Sequence, residues 1–95
     1  MKILAIEKEK PDITSDQFKV HAEAEAMKVW ELCQSEKIRE IYFRQDINCA
    51  VLVLECKNTE EAKLVLDNLP FVQHGLITFD IIPLKPYPGF SRLFK

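Results

Sequence analysis

The chain has 95 residues, 47% of them hydrophobic and 29% charged, which suits one small domain and is too apolar for a disordered segment. A formal net charge of -2 lacks the basic surplus of a nucleic-acid binder, and only 2 glycines exclude the Gly-rich loops that cradle phosphates. A chain this short cannot easily wrap a core and also enclose a pocket, so small-molecule chemistry would borrow walls from a second copy.

Residues 2–7 (KILAIE) form a short apolar run, a strand candidate. Its apolar part, Ile3 to Ile6, is shorter than the core of a signal peptide. No stretch approaches the roughly 18 apolar residues of a membrane span. A cytoplasmic protein that does not enter membranes is expected. The run Glu7-Lys8-Glu9-Lys10 reads as a solvated mixed-charge stretch before a turn. A helix follows. Thr14 is the expected N-cap, with Gln17 completing a capping box and Asp16 favoured by the helix dipole. The helix runs to Cys33 or Gln34. Phe18, Ala22, Ala26, Val29, Trp30 and Cys33 make its buried stripe, and His21, Glu25, Lys28 and Leu32 lie on one flank.

Residues 38–45 (IREIYFRQ) alternate, with Ile41 and Phe43 on one face and Tyr42 and Arg44 on the other. Their polarity suits a sheet edge. The run CAVLVLEC (49–56) is apolar on both faces and reads as a central strand. Asn58 and Glu61 make a second capping box, and Ala62, Val65, Leu66 and Leu69 form the buried face of helix two. Leu69-Pro70 ends it. Residues 76–82 (LITFDII) form the last strand, and a proline-rich tail follows from residue 83 to 95. The three cysteines, an odd number without a CxxC pair, read as reduced thiols; with His21 and His74 they show no metal-ligand spacing.

The order β-α-β-β-α-β in one domain, residues 1–95, is the ferredoxin-like arrangement, an α+β sandwich with a four-stranded antiparallel sheet. Its first and third strands are central. In an isolated domain of this type one sheet face meets water, yet Cys49, Val51 and Val53 oppose Ala50, Leu52 and Leu54 and both sets are apolar. The second face needs a cover. A partner's sheet in a two-fold homodimer supplies one, with the tail lying across that partner.

Several side chains could carry chemistry. His21 and Glu25 are one helical turn apart, so the carboxylate could orient a general base, or both could sit on a solvated flank. His74 lies in the loop before the last strand, at a cleft rim or simply on the surface. Tyr42 and Arg44 bind a ligand if their face meets the cleft, and protect the sheet edge if it meets water. Asp80 is a buried proton acceptor or an edge residue, and Trp30 is core or an aromatic wall of the cleft.

Lys37-Ile38-Arg39, the run Cys49 to Glu55, Leu69-Pro70-Phe71 and the ending Phe79-Asp80-Ile81-Ile82-Pro83-Leu84 with Pro86 and Pro88 resemble the dimeric α+β barrel superfamily. Within it the chain resembles the muconolactone isomerase-like family over about residues 27–88. The resemblance implies oligomerised ferredoxin-like subunits and a cofactor-free isomerase. Such an enzyme shifts a proton beside a carbonyl of a small carboxylate-bearing lactone, in a cleft between sheet and helices. The family's second strand is rich in Trp, His and Arg; here it carries Glu40, Tyr42 and Phe43, leaving Arg39 and Arg44 as anion holders. The expectation is proton transfer on a small anionic or aromatic metabolite, with His21 or His74 as base. A cofactor-independent oxygenase of quinone-like aromatics and a non-catalytic binding or assembly module are the rival readings.

Overall fold

The structure is a computed structural model that describes residues 1–94; the last residue of the tail, Lys95, lies outside the described residues. Strands β1 (Lys2–Glu9), β2 (Ile38–Phe43), β3 (Ala50–Glu55) and β4 (Ile77–Pro83) alternate with helices α1 (Ser15–Gln34) and α2 (Thr59–Asp67) in the expected order. The strands form one antiparallel sheet in the order β2-β3-β1-β4, so β1 and β3 are central. A one-turn helix, α3 (Pro70–Gln73), follows α2, and the tail ends in a short 3-10 helix, Gly89–Leu93.

Local chemistry explains the boundaries. Thr14 caps α1 by accepting from the Gln17 N–H at 3.4 Å, and the Gln17 side chain accepts from the Thr14 N–H at 2.8 Å. At α2 only half of the expected box forms. Asn58 accepts from the Glu61 N–H at 2.9 Å, but the Glu61 carboxylate turns to Lys37 Nζ, 2.8 Å away, because a cation outcompetes a backbone amide. Pro70 ends α2 and also begins α3, since its missing N–H costs nothing at the first position of a helix. Gly75, at φ 72°, closes α3. Its N–H reaches the Val72 carbonyl, and the Leu76 N–H reaches Phe71, both bonds of a Schellman ending.

Alternation divides the sheet into two faces. Ile3, Ala5, Leu52 and Leu54 pack under the helices against Leu32, Ala62, Val65, Leu66 and Leu69. Leu4, Ile6, Val51 and Val53 point to the other face, where they are half-buried and no helix covers them. The tail leaves the body with Tyr87, Phe90, Leu93 and Phe94 exposed, and the molecule is 58 Å long against 29 and 20 Å in the other directions. All three cysteines are free thiols. No helix among the described residues is long and apolar enough to cross a membrane.

Candidate active site

Beneath α1 lies a cavity of about 330 Å³ between the helix and the sheet. Its walls are apolar: Ala22, Ala26 and Val29 from α1, Ile41 and Phe43 from β2, Ala50 and Leu52 from β3, Leu69 and Phe71 from the α2–α3 segment, and Phe79 from β4. It is open to solvent on the side where Ala22 and Ala26 of the helix and Ile41 and Phe43 of the sheet are exposed, and the small alanine side chains leave it room. Leucines at 22 and 26 would fill it.

Two polar side chains enter this cavity, and both are carboxylates: Glu7 of β1 and Glu25 of α1. Glu7 continues the buried alternation Ile3, Ala5, Glu7 and is only 9% exposed. This corrects the expectation that the Glu7–Lys10 run is solvated throughout. The first residue of that run belongs to the strand, and the strand period turns it inward. Its Oε1 accepts from the Ala50 N–H at 3.1 Å. Glu25 Oε1 accepts from the Phe71 N–H at 2.9 Å. Phe71 stands at the second position of α3, where the helix has no partner for that N–H and Leu69 provides no side-chain cap. Glu25 therefore caps α3 from another helix.

Burial pushes both carboxyl groups above their usual range. For Glu7, desolvation outweighs the Ala50 hydrogen bond, and repulsion from Glu9 adds to the rise. For Glu25, desolvation outweighs the Phe71 hydrogen bond, and the charge on Glu7 adds to it. Glu25 thus feels the charge of Glu7 as well as its own burial. Next to Glu7, Cys49 is buried, and its thiol is pushed up by burial and by the charges of Glu7 and Glu9. Donor atoms of Glu7, Glu9 and Cys49 lie within 4.8 Å of one another.

Of the side chains expected to carry chemistry, Glu25 alone lines this cavity. His21 and His74 meet each other instead, with rings stacked 3.7 Å apart and 11° from parallel. The Schellman turn that ends α3 places His74 there, and neither imidazole lines the cavity. Trp30 is neither core nor cleft wall: at 63% exposure it projects to solvent. Leu32, expected on the flank, is the most buried residue of α1, so the helix is rolled toward its His21–Glu25–Lys28 side.

The remaining candidates sit elsewhere. Tyr42 pairs with Val51 on the open face and donates its hydroxyl to Glu40 Oε1 at 2.8 Å. Asp80 sits opposite Ile6 on the same face and pairs with Lys8 at 3.0 Å. Arg44 lies just beyond β2 and is held by Asp46, with Nε 2.9 Å from Oδ1. Arg39 falls at the irregularity between Ile38 and Glu40, and its Nε donates to the Glu36 carbonyl at 3.0 Å. None of these four lines the cavity. The sequence reading missed Glu7, although the spacing Ile3-Ala5-Glu7 already places it on the helix-covered face.

No protein-family model matches the chain, and no curated protein matches it in sequence. Among solved structures, the fold matches 5-chloro-2-hydroxyhydroquinone dehydrochlorinase from Burkholderia phenoliruptrix, determined in complex with 2,5-dihydroxybenzoquinone. The TM-score is 0.73, with 18% sequence identity over 94% of this chain and 98% of the other. That likeness shows a shared ferredoxin-like α+β fold.

Proposed function

We propose that the cavity beneath α1 binds a small aromatic metabolite and that Glu7 and Glu25 move a proton on it without a cofactor, as in the muconolactone isomerase-like family. The observation that carries this reading is that two carboxyl groups, both raised by burial, open onto one apolar cavity. Burial of both carboxyl groups favours the protonated form, so that one can act as acid while the other acts as base. Glu25 as carboxylate would take a proton from a carbon beside a carbonyl, and Glu7 as acid would hold the carbonyl oxygen by a hydrogen bond. Return of the proton at a different carbon completes an isomerisation with nothing gained or lost. The shared fold with a dehydrochlorinase solved with a quinone-type ring supports the aromatic half of the reading.

The working form in this proposal is a cytoplasmic homodimer. Leu4, Ile6, Val51 and Val53 leave an apolar strip on the open sheet face that a second sheet would cover. Tyr87, Phe90, Leu93 and Phe94 would lie across that second copy.

The test is turnover and binding of single-ring lactones and hydroxylated aromatics. Glu25→Gln should keep binding and lose at least 100-fold in kcat, the scale of a general base. Absence of binding across such a panel overturns the reading.

A further inference from the structure

The cavity beneath α1 contains a charge pattern that restricts its ligand. Glu7 and Glu25 enter it, and no Lys, Arg or His is among its lining residues. The cations of the neighbourhood are engaged elsewhere: Lys28 with Glu31 at 3.5 Å, Lys37 with Glu61 at 2.8 Å, Arg44 with Asp46, Lys8 with Asp80 at 3.0 Å, and Lys19, which lines an adjoining hollow that shares Glu7, Phe43 and Phe71, with Asp16 at 4.0 Å. Lys10 and Lys63 line a separate hollow of about 300 Å³ on the far side of Phe79.

Each cavity carboxylate uses Oε1 for a backbone N–H, from Ala50 or from Phe71. Glu7 also takes a hydrogen bond from the Cys49 thiol, and no further backbone amide among the described residues donates to either carboxylate. Two carboxyl groups that keep at least one negative charge between them, with no cation beside them, cannot stabilise an anion, whose desolvation would go uncompensated and whose charge would be repelled. They can receive a hydrogen-bond donor, because a desolvated carboxylate gains most from a donating partner. A volume of about 330 Å³ is roughly twice that of a cavity that holds benzene, enough for one ring with small substituents.

We propose that the ligand of this cavity is a single-ring molecule without negative charge whose donor head, a hydroxyl or an ammonium, meets Glu7 and Glu25. This rests on the reading of the cavity as the ligand site and goes beyond it by fixing the charge class. It departs from the carboxylate-bearing lactones that the family resemblance implies. The ring lies against Ala22, Ala26, Val29, Leu52 and Phe79, and the head points toward β1.

The experiment uses three ligands of equal size and different heads, namely benzylamine, benzyl alcohol and benzoate, with toluene as the headless control. Binding is followed by calorimetry and by amide shifts of residues 22–29. The amine or the alcohol should bind at least 10-fold more tightly than benzoate. Glu7→Gln and Glu25→Gln, which retain the Oε1 acceptor, should narrow that gap. Benzoate binding as tightly as the donor-headed compounds at those amides overturns the charge class and leaves the cavity reading standing. Benzoate that shifts amides near Lys10 and Lys63 instead, while a donor-headed compound shifts residues 22–29, supports the proposal. Failure of all four compounds, toluene included, to shift residues 22–29 overturns the cavity reading and the charge class together.

Discussion

Leu52 and Val53 are neighbours on β3 that meet opposite environments. Leu52 is 1% exposed beneath the helices, beside the cavity with its two carboxylates. Val53 is half-buried on a face that no helix covers, next to Val51, Leu4 and Ile6. One face thus combines a completed core with a polar site, and the other presents an apolar strip flanked by charged residues, of which Lys8, Asp80, Glu40 and Glu55 pair with one another, with the chain terminus or with Tyr42. Polar groups were accepted where they are expensive and apolar groups were left where they are exposed. The first arrangement carries the proposed ligand site and the second the proposed assembly surface.

The contrast is broken most strongly from the core side. Leu52→Ala should cost about 2–5 kcal/mol in denaturant unfolding, while Val53→Ala costs the fold of an isolated chain much less, because its side chain loses fewer contacts. A free-energy loss for Val53→Ala equal to that for Leu52→Ala would show that the open face is already covered. On that face, Val53→Asp should convert a dimer to a monomer in light scattering with the circular dichroism unchanged. A monomer for the unaltered chain at micromolar concentration would remove the assembly surface.

The site itself predicts a gain rather than a loss. Because the folded-state pKa values of Glu7 and Glu25 are raised, the folded protein binds more protons than the unfolded chain just above the usual carboxylate range. Stability therefore falls as pH rises through that window and recovers on acidification. Around Glu7, the charge on Glu9 adds to the rise, while hydrogen bonds from the Ala50 N–H and the Cys49 thiol offset only part of it; around Glu25, the charge on Glu7 adds to the rise. Glu7→Gln or Glu25→Gln should raise the melting temperature by a few degrees at pH 7, with the gain vanishing near pH 4. A drop at pH 7 would mark the pair as structural caps of Ala50 and Phe71 alone. The smallest effect is expected at Lys8–Asp80: both partners are more than half exposed, and Asp80→Asn should change stability by less than about 1 kcal/mol.

Much of this fold was legible in advance. The Thr14–Gln17 box starts α1, Pro70 ends α2, and the apolar runs at β1 and β3 mark the central strands. The split of Ile41 and Phe43 from Tyr42 also follows from the period of two, which local geometry enforces. The site was legible in one residue, Glu25. Helical spacing places His21 beside Glu25, yet the imidazole turns to His74, a partner 53 positions away that only the Schellman turn at Gly75 brings near. Trp30 illustrates the same limit. A helix with alanines on one side and apolar residues on the other does not declare which stripe faces the sheet, and the roll of α1 leaves the tryptophan in solvent.

Periodicity and caps by themselves determined the order of elements, the central strands and the two apolar faces of the sheet, because these depend on neighbours a few positions apart. The convergence of Glu7 and Glu25 on one cavity was decided only by tertiary structure. It depends on how far α1 is rolled and how closely it approaches β1, and that is set by the packing of Leu32, Leu66 and Leu69 onto the sheet rather than by any local rule.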